Sequence, residues 1–363
     1  MHVQNLQNRF NINSVRRGST LATIDDVAKA AGVSKSTVSS VFSKKRPISK
    51  EVSEHVLRIA KELNYKPNYW ARTLATKETR IIGLNMQAEN VKFSQFHLSL
   101  INGVLQECYS KGFQLLINTL SSEFKNEIQN QVSSPVDGEV LMDPANDDSR
   151  LNRDVIKERP FVIIGKPPEL YENIVSYVDN DNIGTATDVT AYLLELGHKE
   201  ILFLNAPKHR TVSEDREAGY KRAFIANNIP HSAELIVHKK ASMTSVEFGH
   251  TETVKMLKQN PNITAIIADN DKMALGVYRA AEDLQLSIPN DLSVIAFSDD
   301  SIFAPEFDPP LSSVKLNSEL LGREAAKLLI EQIQAKDWLI KRIVIPAELI
   351  HRGSTEKLMT HST

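Results

Sequence analysis

Lys35, Ser36, Ser39 and Ser40 fall on the polar face of a short segment whose other face is Val38 and Val41. An ammonium and small hydroxyls at helical spacing can bond to base edges in the major groove of a DNA duplex. Lys44-Lys45-Arg46, just downstream, suits contact with phosphates, which positions a protein without reading sequence. Ala71 and Leu74 stand three apart among Arg72, Thr73 and Lys77. Such an apolar wedge flanked by cations can enter a minor groove and open a base step. Much further along, Arg216 offers a planar fork of donors, and Asp271 a carboxylate able to accept from two adjacent hydroxyls. The plainer readings of these two are a surface helix arginine and a helix cap.

The elements that would position the first group can be read locally. Thr23-Ile24-Asp25-Asp26 sets a hydroxyl three residues before a carboxylate, a helix-start signature, with both acids at the positive helix end. That helix runs through Val27, Ala28 and Ala31 and stops at Gly32. Ser34 then caps a second helix, Lys35 to Phe42, and small Ala28 lets the two approach. Ser49 starts a third helix with Val52, Val56, Ile59, Ala60 and Leu63 expected to face inward. Tyr65-Lys66-Pro67 ends it, and residues 68–76 form a helical segment with almost no core to pack on. Isolated helices shorter than ~12 residues are marginal in water, so this one is expected to order on a partner.

Charge is distributed accordingly. The 363-residue chain has a formal net charge of −2, but residues 21–77 hold eleven Lys/Arg against five Asp/Glu, a balance of +6. Residues 1–20, a polar tail, add three arginines and no acid, which leaves the other 286 residues at −11. A basic head on an acidic body is the distribution expected of a polyanion-binding module joined to a sensing domain. No apolar run reaches the length of a membrane span, and the N-terminal residues lack the apolar core of a signal peptide. The one cysteine, Cys108, allows neither an internal disulfide nor a cysteine-based zinc cluster, and the expected compartment is the cytoplasm.

From Arg80 the chain alternates β-rich apolar runs with amphipathic helical stretches. Strands are expected over Ile81–Met86, Leu115–Asn118, Val140–Met142, Phe161–Gly165, Ile201–Asn205, Leu235–His238, Ala265–Asp269, Val294–Phe297 and Val344–Leu349. Helices are expected over Leu98–Lys111, Ile183–Leu196, Asp215–Asn228 and Lys272–Leu286. Buried strands separated by helices imply parallel sheets covered on both faces, an α/β class best divided here into two Rossmann-like lobes. A ligand would bind beyond the carboxyl strand ends, between the lobes. No nucleophile elbow, P-loop, dinucleotide fingerprint or zinc-binding helix motif is present, so no enzyme is expected.

Thr23-Ile24-Asp25-Asp26-Val27-Ala28, Ala31-Gly32-Val33-Ser34, Ser36-Thr37-Val38-Ser39 and Tyr65-x-Pro67-Asn68-x-x-Ala71-Arg72-x-Leu74 resemble the headpiece and hinge of the lactose-repressor (LacI/GalR) family. Val136-Asp137-Gly138, Leu196-Gly197-His198, Arg216-x-x-Gly219-Tyr220, Asn270-Asp271-x-x-Ala274-x-Gly276 and Pro309-Pro310-Leu311 are similar to landmarks of its body. The resemblance implies a helix-turn-helix domain (residues 21–67), a hinge helix and linker (68–79), a periplasmic-binding-protein-like effector and dimerisation domain (80–350) and a tail (351–363). It implies DNA contacts from Thr23, Ser34, Lys35, Ser36, Thr37, Ser39, Ser40, Ala71 and Leu74, with Leu74 as the intercalating lever. It implies effector contacts from Phe96, His97, Lys166, Arg216 and Asp271, with a plain core position as the competing reading of Phe96.

The expected protein is then a cofactor-free, homodimeric repressor of a double-stranded DNA operator, released by a small-molecule effector, usually a sugar. Ile164-Gly165-Lys166-Pro167 with Val178-Asp179-Asn180-Asp181-Asn182 resembles maltose-type regulators and implies an α-glucoside. A nucleobase or protein co-effector, and activation in place of repression, stay open. Three departures bear on this. Ser40 replaces an arginine common in the family, Leu316 a glutamine, and the stretch from Phe297 to Pro309 is one residue longer than usual.

Overall fold

The computed structural model describes residues 22–43, 46–66, 73, 78–86, 93–118, 135–148, 150–151, 156, 159–240, 242–297, 303–335 and 339–358. The chain divides into two compact units, Met1–Glu78 and Thr79–Thr363.

In the first unit, α1 (Ile24–Ala31), α2 (Lys35–Ser43) and α3 (Lys50–Glu62) close on one small core. The capping box predicted at Thr23 forms with Asp26, and Gly32 ends α1 in the left-handed region at φ 63, where a side chain would be strained. Ser49 caps α3 by accepting from the Val52 backbone. Val27, Val38 and Val56, one from each helix, are fully buried, with Ala28, Ala31, Val41 and Ala60 around them. One expectation fails: Leu63 is 38% exposed, because α3 ends at Glu62 and Leu63 already belongs to the turn that follows. Its place beside the core is taken by Tyr65, whose ring meets Phe42 edge-on at 5.6 Å.

The second unit holds two six-stranded sheets. Lobe 1 contains β1 (Ile81–Asn85), α4 (Gln95–Lys111), β2 (Gln114–Asn118), β3 (Gly138–Met142), β4 (Phe161–Ile164) and β5 (Ser176–Asn180). The chain crosses to lobe 2 for α5 (Asn182–Glu195), β6 (Ile201–Asn205), α6 (Thr211–Ala226), β7 (Ile236–His238) and α7 (Ser245–Gln259). Lobe 2 continues with β8 (Ala265–Ala268), α8 (Asp271–Asp283), β9 (Ser293–Ala296) and β10 (Ser312–Lys315). The chain returns to lobe 1 for α9 (Ser318–Gln334) and β11 (Arg342–Ile345), then crosses again to β12 (Glu348–Ile350). The sheet orders are β11-β5-β4-β3-β1-β2 and β12-β10-β9-β8-β6-β7, parallel throughout except at β10–β12. Strands such as Ile201–Asn205, buried at every position, need cover on both faces, and the helices supply it. Gly103 and Gly322 let α4 and α9 touch backbone to backbone, since a Cβ on either would overlap a facing carbonyl.

The expected Val344–Leu349 strand is a correction. It is two strands in different sheets, because Pro346 lies between them where the chain changes lobes. Polar β10, Ser312–Lys315, carries no apolar run to reveal it; Ser312 and Ser313 are buried because neighbouring hydroxyls and Arg352 satisfy them. Residues 351–358, expected as tail, lie along lobe 2, with Ser354 exchanging bonds with Val294 and Ser312. No helix among the described residues is long and apolar enough to cross a membrane.

Candidate functional site

Each unit builds one polar constellation. In the first, Ser34 turns the chain into α2: its Oγ accepts the Thr37 N–H at 3.1 Å and lies 2.7 Å from Ser36 Oγ and 2.9 Å from Thr37 Oγ1. Ser34, Lys35, Ser36 and Ser39 are exposed, and Thr37 and Ser40 half-buried, so the predicted polar face of α2 is brought together. Lys35 Nζ sits 2.6 Å from Asp25 Oδ1, with both side chains open to water. Such a pair is worth about 0–1 kcal/mol, and a base edge or phosphate can replace it. Thr23 is exposed, and its hydroxyl donates to Asp26 at 2.7 Å. The backbone N–H of Thr23, then its hydroxyl, hold the Asp26 carboxyl below the ordinary range. Ala71 and Leu74 lie outside the described residues, as do Lys44 and Lys45.

In the second unit, the carboxyl ends of β3, β4 and β5 face those of β6 and β8 across a cleft. Arg216, on α6, is buried there. It donates through Nη1 to Asp269 Oδ1 at 2.8 Å and through Nε to Asn182 Oδ1 at 3.2 Å, and its guanidinium lies 4.1 Å over the Phe297 ring. Asp179, at the end of β5, accepts from Asn182 at 3.1 Å; burial pushes its carboxyl up to about 7, with nearby Asp215 adding to the effect. Asp215 is likewise raised by burial. Lys166 reaches Asp215 at 3.4 Å and Glu172 at 3.5 Å. Its partial burial favours losing the proton, but the two carboxylates outweigh this and hold the ammonium above its ordinary value. Lys166, Asp215 and Glu172 line a cavity of about 580 Å³ together with Asn146, Thr211 and Glu214.

The lobes also touch at the cleft mouth. Ala145 and Arg210 form an antiparallel bridge, Asn146 N–H donates to His209 O at 3.0 Å, and Arg210 pairs with Asp143 at 2.9 Å. Asp143 sits at φ 55, a left-handed conformation that aspartate tolerates better than most residues.

Of the predicted effector residues, Lys166 lines the cavity, and Arg216 follows the cavity residue Asp215 in the chain but turns to Asp269 and Asn182. Phe96 packs against the apolar cores of both lobes. His97 belongs to the start of α4, with Nδ1 2.6 Å from Ser94 Oγ, and burial lowers its pKa. Asp271 opens α8, but the cap is Asn270, and Asp271 Oδ1 accepts from the Lys272 N–H. The carboxylate that meets Arg216 is Asp269, which sequence reasoning passed over. Its signal was its place at the end of the strand expected over Ala265–Asp269. Asp143, following Val140–Met142, had the same signal.

One trio has the composition of a hydrolase triad: Ser213 Oγ is 3.1 Å from His238 Nδ1, and His238 Nε2 is 3.0 Å from Glu217. Ser213, however, is fully buried and donates to Ala206 O, so it has neither access to a substrate nor a free lone pair aimed at one. The trio ties α6 to the ends of β6 and β7.

Two family models match the chain: bacterial regulatory proteins, lacI family, over residues 23–68, and a periplasmic binding protein-like domain over residues 190–355. The HTH-type transcriptional regulator CelR of Thermobifida fusca is 32% identical over 336 residues, 92% of this chain and 98% of that protein. A solved complex of the transcriptional regulator CelR with cellobiose is similar at TM-score 0.68 and 29% identity, covering 92% of this chain and 99% of that one. The lac repressor dimer bound to operator and the anti-inducer ONPF is similar at TM-score 0.76 and 25% identity, with the same coverage.

Proposed function

The chain belongs to the lacI family of bacterial regulatory proteins, and from that premise we propose a homodimeric repressor that a saccharide releases from its operator. That it is a DNA-binding transcription regulator and not an enzyme follows from the family, as does work in the cytoplasm. The proposal concerns the residues, the assembly and the effector.

On the DNA side, Lys35, Ser36, Ser39 and Ser40 would meet base edges in the major groove, with Thr23, Ser34 and Thr37 anchoring the start of each helix against phosphates. Ala71 and Leu74 would enter the central minor groove, where two hinge helices meet and support each other. A second copy is needed because one such helix is too short to hold alone. Helix α4 offers that copy a face, since Leu98, Leu105 and Tyr109 recur at helical spacing and are 46%, 45% and 89% exposed.

The observation that carries the effector reading is the buried Arg216–Asp269 pair on the Phe297 ring, at the carboxyl strand ends of lobe 2. A planar donor fork and carboxylate acceptors are the groups that bind a sugar's hydroxyls. Lys166 and Asp215, which line the cavity, would add a cation and a carboxyl, and Asp271, Phe96 and His97 would complete the effector contacts. The run around Lys166 favours an α-glucoside of maltose type, whereas the similar CelR structure holds cellobiose. Binding would change the angle between lobes and melt the hinge helices, to the extent that the ligand prefers one state. Thermal-shift titration of the full chain with maltose, cellobiose, their phosphorylated forms and purines tests this, because a ligand that binds the folded chain raises its transition by an amount set by ligand concentration over the dissociation constant. Each hit is then added to an operator-bound sample. A hit that stabilises the chain without releasing operator counts against the repressor reading, and a purine as the only hit against the saccharide.

A further inference from the structure

Three strands of chain join the lobes, at Asn180–Asn182, at Leu316–Asn317 and at Ile345–Ala347. Separate linkers of this kind permit bending, twisting and sliding. Here a buried carboxamide connects them. Asn180, the last residue of β5, donates through Nδ2 to Leu316 O at 3.0 Å and to Ile345 O at 2.9 Å, so the first crossing holds the other two. Asn317 Nδ2 donates to Pro346 O at 2.9 Å, closing the link between the second and third. Pro346 has no N–H of its own, so side-chain donors do what backbone pairing cannot at this point. Asn317 reaches its acceptor from the left-handed region, at φ 54.

The clasp is also wired to the cleft. Asn182 accepts from Arg216 Nε at 3.2 Å, and its own amide donates to Asp179 at 3.1 Å and to the Asn180 carbonyl at 3.4 Å. A ligand that moves Arg216 therefore acts on a residue two positions from the clasp.

We propose that Asn180, seconded by Asn317, is the positioning residue that makes the three crossings one hinge, so that a change at Arg216 becomes a single rotation between lobes. This rests on the effector reading for its purpose but not for its test. Neither asparagine lines the cleft cavity. Once its amide is lost, Leu316 O and Ile345 O lose a shared donor and the crossings move separately.

The experiment is pulsed electron–electron distance measurement on the full chain, with spin labels at Lys327→Cys on α9 and Ile225→Cys on α6. Both positions are exposed on helices of different lobes, and Cys108 is buried against labelling. Labelled subunits are diluted with an excess of unlabelled ones, so that only distances within a subunit count. The parent should give one narrow distribution. Asn180→Ala should widen it at least twofold, and Asn317→Asp, which tolerates φ 54 without the backbone freedom of glycine and removes the donor, should widen it less. A variant that melts earlier but keeps the parent distribution reduces the asparagine to packing and overturns the proposal. Should Asn180→Ala not fold, Asn317→Asp decides alone: an unchanged width overturns, a wider one supports. Failure of every saccharide to shift the melting transition would sink the effector reading and leave the distance result standing.

Discussion

The recognition face of the headpiece and the cleft of the body both set a cation against an aspartate, yet they hold the pair in opposite ways. Lys35 and Asp25 meet at 2.6 Å with 63% and 43% of their side chains exposed; Arg216 and Asp269 meet at 2.8 Å with 7% and 15% exposed. The first pair sits in water and contributes little, so its lysine can change partners at small cost. The second is held by Asn182 and Phe297, so its geometry is fixed by the surrounding chain. Reading many bases calls for side chains that can reorient, and sensing one small molecule calls for preorganised ones.

The sharpest way to break this contrast is to remove the carboxylate from the buried pair. Asp269→Ala leaves the Arg216 guanidinium without its charge partner, and breaking a buried pair costs about 3–5 kcal/mol. Chemical denaturation of the full chain should show a loss of that size, together with the loss of any saccharide response. A loss below about 1 kcal/mol would mean that the cleft pair is as loosely held as Lys35 and Asp25.

Acid titration probes the same cleft. A carboxyl that burial lifts to about 7, as at Asp179, keeps its proton in the folded chain over a range in which the unfolded chain has lost it. The contribution of Asp179 to the stability of the body is then largest below the ordinary aspartate range and falls as pH rises from there to about 7, by about 1.4 kcal/mol per pH unit at most. Asp179→Asn should flatten that slope in melting experiments across this window. A slope that survives unchanged assigns it to other groups, Asp215 first.

On the DNA side the largest effect should come from the wedge. Leu74→Ala is expected to weaken operator binding by about 2–3 kcal/mol through lost contacts at the opened base step, with no change in the stability of either unit. Gel-shift titration reads it, and an unchanged operator affinity removes Leu74 from the wedge.

Legibility divided along the same line as the physics. The headpiece is local: cap, small residue, glycine and apolar period each act within a few residues, so Thr23, Ala28, Gly32, Val38 and Ser49 announced three helices. Leu63 misled because an apolar residue at helical spacing does not reveal that the helix has just ended. The polar face of α2 was legible for the same local reason. The cleft is made by residues far apart in the chain, and its partners emerge only when two sheets are built and opposed. Arg216 could be picked for its chemistry, but its partner Asp269 could not be told from Asp271 two residues later. Asn180 and Asn317 gave no signal, since a carboxamide becomes a clasp only when three crossings converge on it.

The smallest expected effect tests the exposed half of the comparison. Lys35→Ala should cost about 1–3 kcal/mol of discrimination at one operator position, because a lysine bonded to a base edge cannot be replaced there by a methyl group. Folding stability should change by no more than about 1 kcal/mol, since the partner it leaves, Asp25, is in water and retains its role at the positive end of α1. Binding to a set of operators with single substitutions, run beside thermal melting, separates the two quantities. A loss shared evenly by all operators would make Lys35 a phosphate contact and leave base reading to Ser36, Ser39 and Ser40. A large loss of folding stability would instead mean that the Lys35–Asp25 pair is structural, and the contrast with Arg216–Asp269 would narrow to a difference in burial alone.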